Sequence, residues 1–241
     1  MKAVVCLPTY NERENVEAML RRLGEIFAES GLDARVLVID DGSPDGTGEI
    51  ADRLAAELGY VDVLHRERKE GLGPAYIAGF RRALAAGADL VLEMDCDFSH
   101  DPGDLPRLID AAESADVVLG SRYVAGGRTR NWGLVRRIVS RGGSLYARIV
   151  LGVRIHDLTG GFKCFRRGVL EAIDLDAVAT KGYAFQIEMT YRALRAGFRV
   201  VEVPIVFTDR ELGGSKMSRG IVLEAIARVP ALRWDALRRR L

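Results

Sequence analysis

Short apolar runs alternate with helical patterns through the first half of the 241-residue chain, and this restricts the fold more than any other feature. Strands are expected over 2–7, 35–39, 61–65, 90–94 and 116–119, with helices over 12–29, 45–58, 74–86 and 102–113 between them. Strands joined by helices of this length need right-handed crossovers. The expected class is α/β, a Rossmann-like and mainly parallel sheet flanked by helices. Composition shifts after Tyr123, where Gly126, Gly127 and Arg128 open a basic, glycine-broken region. A helix over 182–196 and a strand over 200–207 then resume the pattern. With no internal repeat and no low-complexity linker, 1–241 reads as one domain.

Charged residues make up 29% of the chain and hydrophobic ones 48%, a soluble, globular balance. A net charge of +1 argues against a dedicated nucleic-acid binder. Cys6, Cys96 and Cys164 have no paired metal spacing, so a reducing, cytoplasmic compartment without disulfides is expected. The opening residues read as a strand rather than a secretory leader. No apolar stretch approaches the roughly 20 residues of a spanning helix, so contact with a membrane would be peripheral.

Chemistry is concentrated where apolar runs stop at acids. Asp95-Cys96-Asp97 follows the mostly apolar run 88–94. Two carboxylates at a sheet's carboxyl edge can ligate a hard divalent cation, and that cation can hold a diphosphate. An Asp-rich turn or a helix cap gives the same pattern. Pro8-Thr9-Tyr10-Asn11-Glu12 stands where a Rossmann fold would carry its glycine fingerprint. It offers an apolar face, an aromatic platform and a carboxylate, or simply an N-cap at Thr9 or Asn11. Strand two ends in Asp40-Asp41-Gly42-Ser43-Pro44-Asp45, where an acidic pair can accept from a nucleoside and Ser43 and Asp45 read as turn and cap residues. Gly71-Leu72-Gly73-Pro74-Ala75 permits close backbone approach to a ligand, or forms only a tight turn.

In this order the four segments resemble GT-A type glycosyltransferases of family 2. The second half narrows the likeness to polyprenyl (dolichyl) phosphate mannose synthases. It does so through Gly120-Ser121-Arg122-Tyr123, the stretch from Trp132 to Gly142, Asp157-Leu158-Thr159-Gly160-Gly161-Phe162, the stretch from Lys181 to Met189, and the stretch from Asp209 to Lys216. The resemblance implies that Pro8, Tyr10, Glu12, Ile39 and Asp41 contact the guanosine of GDP-mannose. It implies that Asp95, Asp97 and Ser99 hold Mg²⁺ or Mn²⁺, with Ser99 a weak ligand that water can replace. Cys96 is then a donor-side residue that packs or offers its backbone. Arg122, Arg136 and Ser140 would receive the phosphate of a polyprenyl monophosphate. Arg210 and Lys216 would close over the sugar diphosphate. The halves become 1–121 for donor and metal, 122–218 for acceptor and 219–241 for a basic amphipathic helix.

Electrostatics supports the same division. A phosphate acceptor and a diphosphate donor repel, so several fixed cations are needed beside one divalent metal. Arg122, Arg136, Arg210 and Lys216 supply them, although any single arginine can equally be a solvated surface charge. A phosphate monoester has its second pKa near ~6 and needs no strong base, so Asp157 is expected to be structural or to orient an arginine. The resemblance implies that the reaction is a single inverting displacement. Residues 132–153 and 221–241 interleave apolar and arginine positions in a way that suits an anionic membrane surface or a core-packed helix with a solvated face. The cytoplasmic face and a separate anchor protein follow from the resemblance. His65 and His156 read as turn or cap residues, and His100 as support behind the metal. The rival readings are a UDP-glucose or other nucleotide-sugar donor for the same acceptor, and a non-catalytic nucleotide- or anion-binding protein.

Overall fold

The computed structural model describes residues 1–178, 180, 182–209 and 219–238, without the side chains of 183 and 219–226. In the first half, β1 (Ala3–Thr9), β2 (Ala34–Asp40), β3 (Val61–His65), β4 (Leu90–Glu93) and β5 (Val117–Ser121) alternate with α1 (Val16–Ser30), α2 (Thr47–Glu57), α3 (Leu72–Ala85) and α4 (Leu105–Ala111). The second half carries β6 (Arg128–Arg130), α5 (Leu134–Leu151), β7 (Lys163–Arg166), α6 (Arg167–Ala172), α7 (Tyr183–Arg195), β8 (Val200–Pro204), β9 (Val206–Thr208) and α8 (Arg219–Leu237).

Seven strands form one sheet in the order β3-β2-β1-β4-β7-β5-β8, parallel except for β7, which runs against both of its neighbours. Side chains alternate along each buried strand, so β1 sends Val5 and Leu7 to one core and Val4 and Cys6 to the other. Helices α1, α2 and α4 cover the first core. Helices α3, α5, α6, α7 and α8 cover the second, where the rings of Tyr76 and Phe185 stack with centroids 5.8 Å apart. The chain leaves β1 toward β2 on one side and returns to β4 on the other. That reversal opens a crevice beyond the carboxyl ends of these strands, where an open α/β sheet binds its ligand.

Several local expectations are corrected. Helix α1 starts at Val16 rather than near Glu12, because residues 10–15 form turns with Asn11 at φ +55°. Neither Thr9 nor Asn11 caps it: the Thr9 hydroxyl donates to Asp40 at 3.3 Å. The predicted helix over 102–113 is a 3₁₀ turn at Pro102–Asp104 followed by the shorter α4. The single strand expected over 200–207 is two. Pro204 supplies no N–H, Ile205 donates to Ser121 O at 3.0 Å, and β9 leaves the main sheet to pair with β6. Strand β7 went unforeseen because Lys163-Cys164-Phe165-Arg166 has charged ends and no apolar run, yet Lys163, Cys164 and Phe165 are buried.

Candidate active site

The ends of β1, β2 and β4 bring together the residues expected on the donor side. The β1–β2 register sets Pro8 beside Ile39, and Asp41 donates its backbone N–H to Thr9 O at 3.0 Å. The two acids that end β2 divide their work. Asp40 is consumed by the turn, accepting from Ser43 N at 3.2 Å and Ser43 Oγ at 2.5 Å. Asp45 accepts from Thr47 N at 3.0 Å, although Gly46 rather than Asp45 is the N-cap residue of α2. Asp41 is left for the crevice; it is buried, and its Oδ1 accepts from Arg66. Burial pushes the Asp41 carboxyl above its ordinary pKa, opposed by Arg66. Glu12 is buried beside Asn15, whose amide donates to it at 2.8 Å, and Lys69 Nζ stands 4.1 Å from the centre of the Tyr10 ring. A Cβ at Gly73 would lie 2.4 Å from Thr180 O, so close packing requires this glycine, and Gly71 takes φ +115° at the start of α3.

Beyond β4 the chain turns sharply. Asp97 is buried, its Oδ1 accepts from Ser99 N at 3.0 Å, and Phe98 between them sits in the left-handed region at φ +57°. For an aromatic residue that conformation is costly, and such outliers gather at functional turns. Asp95 is the more open carboxylate, with 37% of its side chain exposed. Among the described residues the buried Ser99 hydroxyl has no hydrogen-bond partner, which leaves its oxygen able to take a ligand. Among the described residues no three His, Cys, Asp or Glu side chains form a metal cage. Two carboxylates and one hydroxyl suit a cation that completes its shell with phosphate oxygens and water. Cys96 is buried, as the packing role requires.

His100 anchors this turn. Its Nδ1 accepts from Asp95 N at 3.2 Å, and its ring stacks on Phe162 at 5.0 Å and meets the edge of Phe207 at 5.2 Å. Burial depresses its pKa to about 4, which keeps the imidazole neutral as that acceptor role demands. The aromatic contacts continue into the acceptor side. Phe207 meets Trp132 edge-on at 5.2 Å, and Trp132 lies under Arg136 at 4.4 Å and near Arg122 at 5.5 Å. Strand β9 ties the two regions further, since Thr208 N donates to Ser99 O at 3.1 Å.

Arg122 is fixed at the end of β5 by Asp157. Its Nε donates to Oδ2 at 2.7 Å and its Nη2 to Oδ1 at 2.6 Å, and Nη2 also reaches Thr159 at 2.9 Å. Burial alone would raise the Asp157 carboxyl; Arg122 beside it overrides this and holds it below its ordinary pKa. The expectation that Asp157 orients an arginine is thus met in the geometry. Arg136 donates to Asp209 at 2.5 Å, and Ser140 accepts from the Tyr123 hydroxyl at 2.7 Å. Arg210 and Lys216 lie outside the described residues, as do Lys181, Arg239 and Arg240.

Helix α5 positions Arg136 and Ser140 through its spacing. Positions 136, 140, 144, 147 and 151 share one face, and of these Ser144, Ala147 and Leu151 are buried against the domain. Leu134, Val135, Ile138, Leu145 and Ile149 face outward, between 53% and 75% exposed. Six apolar side chains of this one helix are exposed, counting Val139 at 42%, far beyond the isolated surface leucine of an ordinary soluble protein. Trp234 and Leu237 of α8 are exposed as well, while the side chains of Leu223 and Ile226 lie outside the described residues. His65 reaches Asp52 at 2.9 Å and His156 reaches Glu202 at 2.8 Å, both structural contacts.

Sequence reasoning missed a buried pair of ionisable groups behind the acidic turn. Glu93 ends β4 opposite Lys163 of β7, and both are fully buried. Lys163 Nζ donates to Gln186 O at 2.7 Å, fastening α7 to the sheet. Burial raises Glu93 to about 7 and lowers Lys163 to about 8, each opposed by the other's charge. A charged residue inside an otherwise apolar strand was the available signal.

The family profile described as Glycosyl transferase family 2 matches residues 4–174. The chain belongs to glycosyl transferase family 2. An undecaprenyl-phosphate mannosyltransferase of Micrococcus luteus is 53% identical over 245 aligned positions, covering 100% of this chain and 99% of that protein. A polyprenol monophosphomannose synthase of Mycolicibacterium smegmatis is 51% identical, covering 95% of this chain and 85% of that one. Among solved structures, glucosyl-3-phosphoglycerate synthase from Mycobacterium tuberculosis, in complex with Mn²⁺ and UDP-glucose, superimposes with a TM-score of 0.71. That likeness carries 21% identity over 97% of this chain and 79% of the other. A mannosyltransferase from Pyrobaculum calidifontis, in complex with GDP-Man and Mn²⁺, gives a TM-score of 0.61 at 17% identity, over 98% of this chain and 74% of that one. The sheet and its flanking helices are therefore the GT-A architecture of a family 2 glycosyltransferase, the class expected from the strand–helix alternation.

Proposed function

We propose that this glycosyltransferase moves mannose from GDP-mannose to a polyprenyl monophosphate, yielding polyprenyl β-mannosyl phosphate and GDP. One arrangement carries the reading. The acidic turn after β4 and the arginine pair Arg122 and Arg136 are joined through His100, Phe207 and Trp132, so an anionic donor held through a cation can face an anionic acceptor. The two curated relatives, named for undecaprenyl-phosphate and polyprenol phosphate mannose transfer, support the acceptor and the sugar.

Asp95, Asp97 and Ser99 are the residues that would hold Mg²⁺ or Mn²⁺, and such a cation would offset negative charge on the departing diphosphate. The remaining work belongs to the chain. Pro8, Tyr10, Glu12, Ile39 and Asp41 bind the nucleoside, with Cys96 packed beneath the turn. Arg122, immobilised by Asp157, Arg136 and Ser140 orient the acceptor phosphate. The phosphate oxygen attacks the anomeric carbon as GDP departs, which inverts the α-linked donor. The nucleophile arrives ionised, so no side chain has to remove a proton. Arg210 and Lys216 complete the cation set around the sugar diphosphate.

The acceptor's tail belongs on the outward stripe of α5, where apolar side chains flanked by Arg137, Arg141 and Arg148 can rest in an anionic lipid surface. Among the described residues no helix is long and apolar enough to cross a membrane. The reading is peripheral attachment at the cytoplasmic face, with a separate anchor protein as a partner, and one catalytic domain with donor residues before 122 and acceptor residues after it. A panel of radiolabelled GDP-mannose, GDP-glucose, UDP-glucose and UDP-mannose, with polyprenyl phosphate, tests it. Label from GDP-mannose is expected in the lipid extract, dependent on metal and abolished by EDTA. Transfer from UDP-glucose instead, or transfer untouched by EDTA, would overturn it.

A further inference from the structure

Strand β7 runs against both of its neighbours, and it lies between the strand that leads to Asp95 and the strand that leads to Arg122. Its first residue, Lys163, pairs with Glu93 of β4 on one side and with Leu119 of β5 on the other. Asp95 follows two residues after Glu93, and Arg122 three after Leu119. Neighbouring strands are about 4.8 Å apart, so β7 holds these two arms of the site about 10 Å from each other.

Lys163 is fully buried, a costly place for an ammonium group. Its Nζ donates to Gln186 O at 2.7 Å and to Gln186 Oε1 at 2.5 Å. Glu93 and Lys163 stand two residues from Val91 and Phe165, so both face the core that α3 and α7 cover. Among the described residues neither Glu93 oxygen, nor Gln186 Nε2, nor the Tyr76 hydroxyl has a hydrogen-bond partner. These groups are neighbours: Glu93 acts on Tyr76, and Gln186 favours the ionised form of Glu93. Folding gains little from such a cluster, since buried ion pairs can often be replaced by apolar residues without loss. Ionisable groups kept in a core at that cost point to a requirement of the site.

The charges alternate across the three strands. Asp157 braces Arg122, and its carboxylate also attracts Lys163, which faces Glu93 below the acidic turn. We infer that Lys163 is a positioning residue for sugar transfer: buried between β4 and β5, it holds the acidic turn and the Arg122–Asp157 brace at a fixed separation. It touches neither donor nor acceptor. Each side binds its ligand through its own residues, and Lys163 sets how the two ligands face each other. A displacement of about 1 Å between reacting groups can cost about 100-fold in rate. The inference rests on the transfer reaction proposed above and adds to it a residue that serves both sides at once.

The experiment uses the full chain. Calorimetry gives the melting temperature and the affinity for GDP with Mn²⁺, and steady-state assays give kcat and KM for GDP-mannose and for polyprenyl phosphate. Lys163→Met leaves Glu93 without its counter-charge and lowers the melting temperature. Glu93→Gln/Lys163→Met removes both charges, and its melting temperature returns close to that of wild type. In the double variant GDP affinity and both KM values are expected within about threefold of wild type, with kcat at least about tenfold lower. A residue that served folding alone would give back kcat together with stability. That recovery would overturn the inference. So would a loss of GDP affinity, or a rise in one KM, as large as the loss of kcat, since Lys163 would then serve one side. A double variant that does not fold would overturn it too, by showing the pair to be structural. If wild type transfers mannose from GDP-mannose and the double variant keeps its kcat, this inference alone falls. If wild type transfers no mannose to polyprenyl phosphate, the proposed reaction falls and this inference falls with it.

Discussion

The proposed donor and acceptor sides of this glycosyltransferase are built in different ways. The proposed donor residues sit at the ends of three adjacent parallel strands, so the register of β1, β2 and β4, with the turn that follows β4, brings Pro8, Ile39 and Asp95 to one edge. The acceptor residues come from a strand end, an exposed helix and a two-stranded ribbon, held by an ion pair and stacked rings instead of a sheet. A site made by strand register tolerates change in side chains away from it. One assembled from Arg122–Asp157 and Trp132–Phe207 contacts fails when either partner is removed.

The largest effect should come from the donor turn. Asp97→Asn is expected to lower kcat/KM for GDP-mannose by at least about 100-fold, the scale of losing a preorganised electrostatic group, with the melting temperature little altered. An unfolded variant would instead show that the turn is structural. Next comes the acceptor brace. Arg122→Met strands the buried Asp157 carboxylate and should cost about 3–5 kcal/mol in denaturant unfolding, where Asp97→Asn costs far less. The same pair gives a pH signature. The Asp157 carboxyl is depressed in the folded protein. Its stabilisation is therefore complete above the ordinary carboxyl pKa of about 3.9 and is lost as pH falls further toward the folded value. The stability gap between wild type and Asp157→Asn should shrink in acid below that point. If Asp157→Asn stayed fully folded at neutral pH yet lost as much rate as Asp95→Asn, the carboxylate would be a base rather than a brace.

The contrast between the two sides also explains what could be read from sequence. Asp95, Asp97 and Asp41 announce themselves because an apolar strand that stops at an acid is a local signal, and Glu12 follows close behind the first such strand. The five first-half strands were visible for the same reason. Strand β7 was not, since its burial comes from neighbours β4 and β5 far away in sequence, and Lys163 is tolerated inside because Gln186 accepts from it and the charge of Glu93 opposes the cost of burial. The break at Pro204 was legible in principle, as proline cannot donate to a ladder. Arg66, Phe207 and Trp132 could not be placed from spacing, because their partners Asp41, His100 and Arg136 come from other segments. The roles of Arg122, Arg136 and Ser140 were reached through resemblance, and only the fold showed that one face of α5 carries both Arg136 and Ser140.

Smaller effects sharpen the comparison on the membrane side. Burying an exposed Ile side chain in lipid is worth roughly 1.5–3 kcal/mol, so Ile138→Glu should weaken flotation with anionic vesicles by roughly tenfold or more. Transfer to a short, water-soluble prenyl phosphate should be nearly unchanged in that variant; if it fell equally, α5 would be serving the chemistry and not the surface. The mildest change is Trp132→Phe, which keeps an aromatic ring edge-on to Phe207 and weakens the cation–π contact with Arg136. A cost of about 0.5–1 kcal/mol predicts a two- to fivefold rise in acceptor KM at constant donor KM. A donor KM that moved with it would show the two sides to be one unit.

The most direct test of the account is Mn²⁺ binding, followed by electron paramagnetic resonance, to wild type and Asp97→Asn with and without saturating GDP. The account predicts one tight Mn²⁺ per chain in wild type when GDP is present, much weaker binding without nucleotide, and loss of the tight site in Asp97→Asn. Equal Mn²⁺ binding by the two proteins, or tight binding that ignores GDP, would contradict it.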